Sequence, residues 1–178
     1  MRRFLRVWAA GYLGPRRFTN GLKDAPAPGW GFHAVILRSM MDSLLIYLPV
    51  AVMGRQPPTP SYLTFLAADH YYFTLIWLTP LIFLTQWLLG GAVLHLVLRL
   101  RRLPGDIDRI LNLTGMAGLV VATVLVLWDW FWFMAGAANQ VFLGVSHLVI
   151  DLWWFVLVVA GLRQIVGGST RLAIVAHL

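Results

Sequence analysis

Four runs of apolar residues divide the chain, each close to the roughly 20 residues that a helix needs to cross a hydrocarbon layer about 30 Å thick. The first extends from about Ala34 to Met53 and ends at Gly54-Arg55-Gln56-Pro57-Pro58. The second extends from about Tyr72 to Leu98 and stops at Arg99-Leu100-Arg101-Arg102. The third covers about Leu113 to Ala135 and the fourth about Phe142 to Val166. Between them Gly136-Ala137-Ala138-Asn139-Gln140 predicts a tight hairpin. Pro80 and Gly90-Gly91 mark where the second run can kink or tilt. The pattern predicts an all-α, polytopic membrane bundle with spans at about 34–53, 72–98, 113–135 and 142–166.

The residues ahead of the first run carry a different pattern. Phe4, Leu5, Trp8, Tyr12 and Leu13 recur at helical spacing, while Arg2, Arg3 and Arg6 occupy the other face. A helix of this kind lies in the membrane interface with its arginines on anionic headgroups and Trp8 as an aromatic anchor. Residues 2–14 are therefore expected along the inner interface. Pro15 ends that helix, and Lys23 to Gly29 predicts an extended linker. The stretch is no signal peptide, because its apolar part is short and Arg16-Arg17 follow it directly. The chain thus divides into an interfacial segment, 1–30, and a bundle, 31–178.

Composition agrees with the pattern. Of 178 residues, 60% are hydrophobic and only 12% charged, against about 25% charged in an average soluble domain. Polar surface is too scarce to coat a water-facing globule, so apolar side chains must face lipid. These figures exclude a disordered chain, a disulfide scaffold and a conventional nucleic-acid binder, despite the net charge of +7. The absence of cysteine leaves the redox compartment open. Thirteen of the fourteen basic residues precede or edge the first run, follow the second, or follow the fourth; Arg55 alone falls on the other side. By the positive-inside rule the N-terminus, the 99–111 loop and the tail are expected in the cytoplasm. A bacterial inner membrane is the expected location.

Few ionisable groups lie inside the runs, and each is a candidate site because membrane burial of charge costs at least about 2.5 kcal/mol. Arg38 and Asp42, at i and i+4 in the first turns of the first span, are expected to pair near the cytoplasmic edge. His147 and Asp151 repeat that spacing in the fourth span, and Asp129 lies at the depth of His147 when both are counted from the 136–140 hairpin. Asp129, His147 and Asp151 are thus expected to form one hydrogen-bonded cluster that clamps helices. Its competing use, a proton relay, would need a titratable entry and exit that the inner half of both helices does not offer. Trp128, Trp130 and Trp132 crowd the outer end of the third span as an aromatic belt, the alternative being a surface that stacks on a pigment, quinone or sterol. No metal or cofactor is expected. Haem would need two histidines at one depth on different helices, which His95 and His147 do not provide. There is no Glu, and neither a nucleophile elbow nor a phosphate-cradling loop is present.

Several stretches carry a resemblance. Gly11-Tyr12-Leu13-Gly14-Pro15 with Phe18 and a Pro/Gly linker, then Gly31-Phe32-His33-Ala34, resembles the opening of bacterial members of the Yip family, the Ypt/Rab-interacting membrane proteins. Pro80, Ala92-Val93-Leu94-His95, Pro104-Gly105-Asp106 and Leu113-Thr114-Gly115-Met116-Ala117 are similar to that family's long central helix, loop and small-residue span. Gly161-Leu162-Arg163-Gln164 is similar to its segment before the last helix. The resemblance implies a further, fifth helix, which is absent or truncated here because the sequence ends at Leu178. It implies no catalytic residues, and for eukaryotic members it implies binding to small GTPases. The expectation is a non-enzymatic membrane protein that acts through helix–helix contact with a membrane-protein partner or a second copy, or by organising membrane lipids. The alternatives are a small transporter or lipid-handling protein using the intramembrane Asp and His residues, or an accessory subunit of a larger inner-membrane complex.

Overall fold

The structure is a computed structural model that describes residues 1–23, 25, 29–57, 63–134 and 140–167. The expected 136–139 turn, much of the 23–29 linker and the tail from residue 168 lie outside them. Among the described residues the fold is all-helical: α1 (Arg2–Leu13), α2 (Pro15–Leu22), α3 (Gly29–Val52), α4 (Tyr71–Leu100), α5 (Ile107–Met134) and α6 (Gln140–Val166). The last four are long and apolar enough to cross a membrane. The protein is an integral, multi-pass membrane protein.

Two spans begin earlier than the apolar runs. α3 starts at Gly29, and its Gly31 N–H, one of the donors that every helix start leaves free, meets Asn112 Oδ1 on α5 at 2.7 Å. α5 starts at Ile107, where Asp106 Oδ1 accepts from the Asp108 N–H at 2.9 Å, the usual role of an N-cap aspartate. Counting apolar residues misses both, because Gly29, Gly31 and His33 interrupt the start of α3 and Asp108 and Arg109 that of α5.

α5 is the axis of the bundle. Within its most apolar window 72% of residues are buried, against 17%, 17% and 11% for the other spans, and it touches every other helix. Its contact with α3 is closest. A Cβ at Gly115 would lie 2.6 Å from the Gly31 carbonyl oxygen and 2.8 Å from the Gly31 Cα, so the two backbones cross in direct contact. Small residues at such a crossing replace the hydrophobic drive that lipid removes.

Residues 2–22 are not separate from this bundle. α1 and α2 form an antiparallel hairpin whose tip is Gly14, at φ +140°, a conformation that side chains rarely adopt. Val7 packs into the space left at Gly21. Phe4, Val7 and Gly11 are buried against the bundle, and Phe18 is fully enclosed. Gly11 faces Val120, near the middle of α5, and Tyr12 Oη donates to the Val120 carbonyl at 3.1 Å. At the other end Phe4 stands edge-on to Trp30 at the start of α3. Of the apolar face expected to enter lipid, Phe4 and Trp8 pack on protein while Leu5, Tyr12 and Leu13 stay exposed, and the hairpin descends about half the length of α5. Arg2, Arg3 and Arg6 remain on the exposed face.

Three prolines lie in helical segments, and each leaves a carbonyl four residues earlier without its backbone donor. All three carbonyls are taken by a side chain of another helix. Pro80, inside α4, frees the Ile76 carbonyl, which accepts from Ser43 Oγ at 2.9 Å. Pro49 frees Leu45, which accepts from Trp130 Nε1 at 2.8 Å. The turns before Pro49 widen into a π-helix over Asp42–Tyr47, so α3 changes pitch where Ser43 reaches α4. Pro15 frees Gly11, which accepts from Trp153 Nε1 at 3.0 Å.

The Ser43 bond has a testable signature. Ser43→Ala should lower stability in a micelle unfolding titration by about 1 kcal/mol. In a Pro80→Ala background the same change should cost far less, because residue 80 then supplies the missing N–H. An equal cost in both backgrounds would show that the hydroxyl does not serve this carbonyl.

Candidate functional site

Polar side chains gather at three places on α5 and its neighbours. The first is centred on Arg38. Because α3 begins at Gly29, Arg38 lies in its third turn, and its Nη1 would stand 3.1 Å from a Cβ at Gly118, a point well inside α5. This corrects the expectation of a residue at the membrane edge. The guanidinium crosses α5 where glycine leaves it room and rests 4.3 Å from the centroid of the Phe83 ring on α4, a cation–π arrangement. The carboxylates of Asp42 and Asp151 are near enough to act on its charge, but neither forms an ion pair with it among the described residues. Its Nε is buried and meets no acceptor. The pair expected from the i, i+4 spacing is not formed, because Asp42 opens the π-helical segment and departs from the regular helical register there.

Arg38 lines a cleft of about 520 Å³ between α4 and α6, floored by Thr114, Gly115 and Gly118 of α5 and flanked by Trp87, Gly90 and Trp154. Gly90 faces open space, with no heavy atom within 4 Å of where its Cβ would be. Gln86 is exposed on the same rim. Trp87 instead turns inward, its Nε1 donating to the Leu111 carbonyl of α5 at 2.9 Å.

The second place is the seam between α3 and α6. The hairpin covers α5 at the end that carries Arg109. At the other end a cavity of about 200 Å³ remains, lined by Pro49 and Val50 of α3, Asp129 and Trp130 of α5, and Leu143 and His147 of α6. Here His147 Nε2 donates to Asp129 Oδ1 at 2.6 Å, with both side chains part-buried. Asp151, one turn further along α6, is exposed and does not join them. The structure therefore brings together two of the three expected members and leaves the third exposed.

Trp128, Trp130 and Trp132 are half-buried and use their rings between helices. Trp128 Nε1 donates to Ser146 Oγ of α6 at 2.8 Å, Trp130 caps Leu45, and Trp132 stands edge-on to Phe142 at 4.8 Å. Sequence reasoning grouped the three by position along the chain and missed their partners Ser146 and Leu45.

The third place is the exposed side of the hairpin. Gln164 of α6 holds α2, its amide donating to the Thr19 carbonyl at 3.0 Å and accepting from Lys23 Nζ at 3.2 Å. Arg16, Arg17 and Arg163 lie together around a groove beside this contact. Among the described residues no three His, Asp, Glu or Cys side chains converge as a metal-ligand set. Compared with known proteins, the chain matches no family model, and no curated protein or solved structure is significantly similar to it.

The Asp129–His147 bond separates a hydrogen-bonding role from a charged one. Asp129→Asn retains an acceptor for His147 and should leave thermal stability in detergent nearly unchanged. Asp129→Leu leaves a partly buried imidazole without a partner and should cost about 1–2 kcal/mol. Equal losses in the two variants would mean that the negative charge, not the hydrogen bond, is what the helices need.

Proposed function

We propose that the protein is a non-enzymatic membrane protein of the Yip type that works by docking a further transmembrane helix into the cleft between α4 and α6. The observation that carries this reading is the unfilled rim at Gly90, next to Gln86 and the unpartnered Arg38 Nε. Helices in lipid associate through small residues that permit close approach and polar groups that bond across the contact, and this rim offers both. A partner helix with an acidic or amide side chain at that depth would supply the acceptor that Arg38 lacks. The partner is a second membrane protein or a second copy of this chain. The Yip resemblance, carried by Gly11–Pro15, Ala92–His95 and Pro104–Asp106, supports a task of contact rather than catalysis.

A photo-crosslinking residue at Val93, on the cleft, should give protein adducts in membranes, and Gly90→Leu should reduce their yield severalfold. The same probe at Leu44, on α3, should give little. A second reading rests on the same arginine: a lipid-handling protein in which a lipid head supplies the acceptor. Adducts with lipid alone at Val93 would overturn helix docking in its favour.

We further propose that the basic end of the bundle faces the cytoplasm of a bacterial inner membrane, on the strength of the thirteen-to-one division of basic residues. Cysteines placed at Arg101 and Gln56 should then label from opposite sides, Arg101→Cys from the cytoplasm. Labelling of both from one side would refute the four-span topology.

A further inference from the structure

Besides the cleft, the described residues form a groove that gathers three arginines. It runs between the tip of the hairpin and α6, encloses about 970 Å³, and is lined by Arg16, Arg17 and Asn20 on α2 and by Phe155, Val156, Val159, Ala160 and Arg163 on α6. Among the described residues no acidic side chain is in the lining. Arg16, Arg17 and Arg163 are all exposed, and none forms an ion pair with a described residue.

The fold fixes their depth. Gln164 bonds α2 at Thr19 and Lys23, so Arg163 and the last turn of α2 share one level near the end of α6. Arg16 and Arg17 lie a turn further from that end, about 5 Å deeper at 1.5 Å per residue. Phe155 is eleven residues from the end of α6, about 16 Å in. The groove therefore presents guanidinium groups at headgroup depth and just below it, continuous with an apolar floor that extends toward the hydrocarbon core. Arginines at such a depth are costly unless an anion meets them, and basic pockets between transmembrane helices suit lipid phosphates. Guanidinium binds phosphate oxygens through paired N–H donors.

We propose that this groove binds an anionic phospholipid of the leaflet at the basic end. Its phosphate sits among Arg16, Arg17 and Arg163, and an acyl chain lies over Val156 and Val159. The lipid completes the hairpin's outer wall and holds α2 against α6.

Native mass spectrometry of the detergent-solubilised full chain, titrated with phosphatidylglycerol or phosphatidylcholine, tests this. The first bound phosphatidylglycerol should be retained at least fivefold better than phosphatidylcholine. Arg16→Gln/Arg17→Gln should remove that preference, and Arg2→Gln/Arg6→Gln, on the exposed face of α1, should keep it. Val156→Trp, which fills the apolar floor without altering charge, should also lower phosphatidylglycerol occupancy severalfold. Equal retention of the two lipids by the unaltered protein would overturn the proposal. So would an equal loss in both double-arginine variants, the mark of diffuse attraction to a basic surface. If Arg16→Gln/Arg17→Gln fails to fold, Arg163→Gln together with Val156→Trp decides: retained preference in both means that the groove is not the site.

Discussion

A backbone carbonyl exposed to hydrocarbon has no water to turn to, and in a membrane every such group must find a donor within the protein. The three helical prolines of this chain create that need at Gly11, Leu45 and Ile76, and Trp153, Trp130 and Ser43 meet it from neighbouring helices. Each bond ties a proline-bearing element to a different partner: the hairpin to α6, α3 to α5, and α4 to α3. The prolines therefore do not loosen the bundle. They set the points at which its helices are cross-linked, and the π-helical turn in α3 is the local adjustment that brings Ser43 to α4.

The same economy governs α5. Its glycines admit other groups instead of conferring flexibility: Gly115 admits the backbone of α3, and Gly118 admits the side chain of Arg38. A larger residue at 118 would press on the guanidinium and drive it from the cleft. The path of Arg38 thus uses the room that a glycine leaves on another helix. Asn112 and Asp106 close the two helix starts that the apolar residues cannot close themselves.

Much of the architecture was legible in the sequence because lipid imposes long apolar runs, and such runs are hard to mistake. The four spans follow from them within a few residues, apart from the glycine-rich first turn of α3 and the charged first turn of α5. The meeting of Asp129 with His147 followed from equal distances to a common turn. Lateral packing was not legible. Prolines at 15, 49 and 80 announce three freed carbonyls, but nothing along the chain says which helix supplies the donor. The amphipathic pattern of residues 2–14 put Phe4 and Trp8 on a packed face but missed Val7 and Gly11, which lie buried there, and counted Leu5 and Leu13, which stay exposed; periodicity does not distinguish a protein surface from lipid. Arg38 was misplaced because the span was taken to begin at Ala34, five residues after α3 begins at Gly29.

The hairpin has a consequence for the shape of the whole. Six helical segments, each about 10 Å across, share the cross-section at the basic end, and four share it at the other. Among the described residues the bundle is therefore broader at its basic end, and the added breadth comes from the hairpin of the first twenty-two residues. In a bilayer such a bundle displaces more lipid from the leaflet at its basic end than from the other.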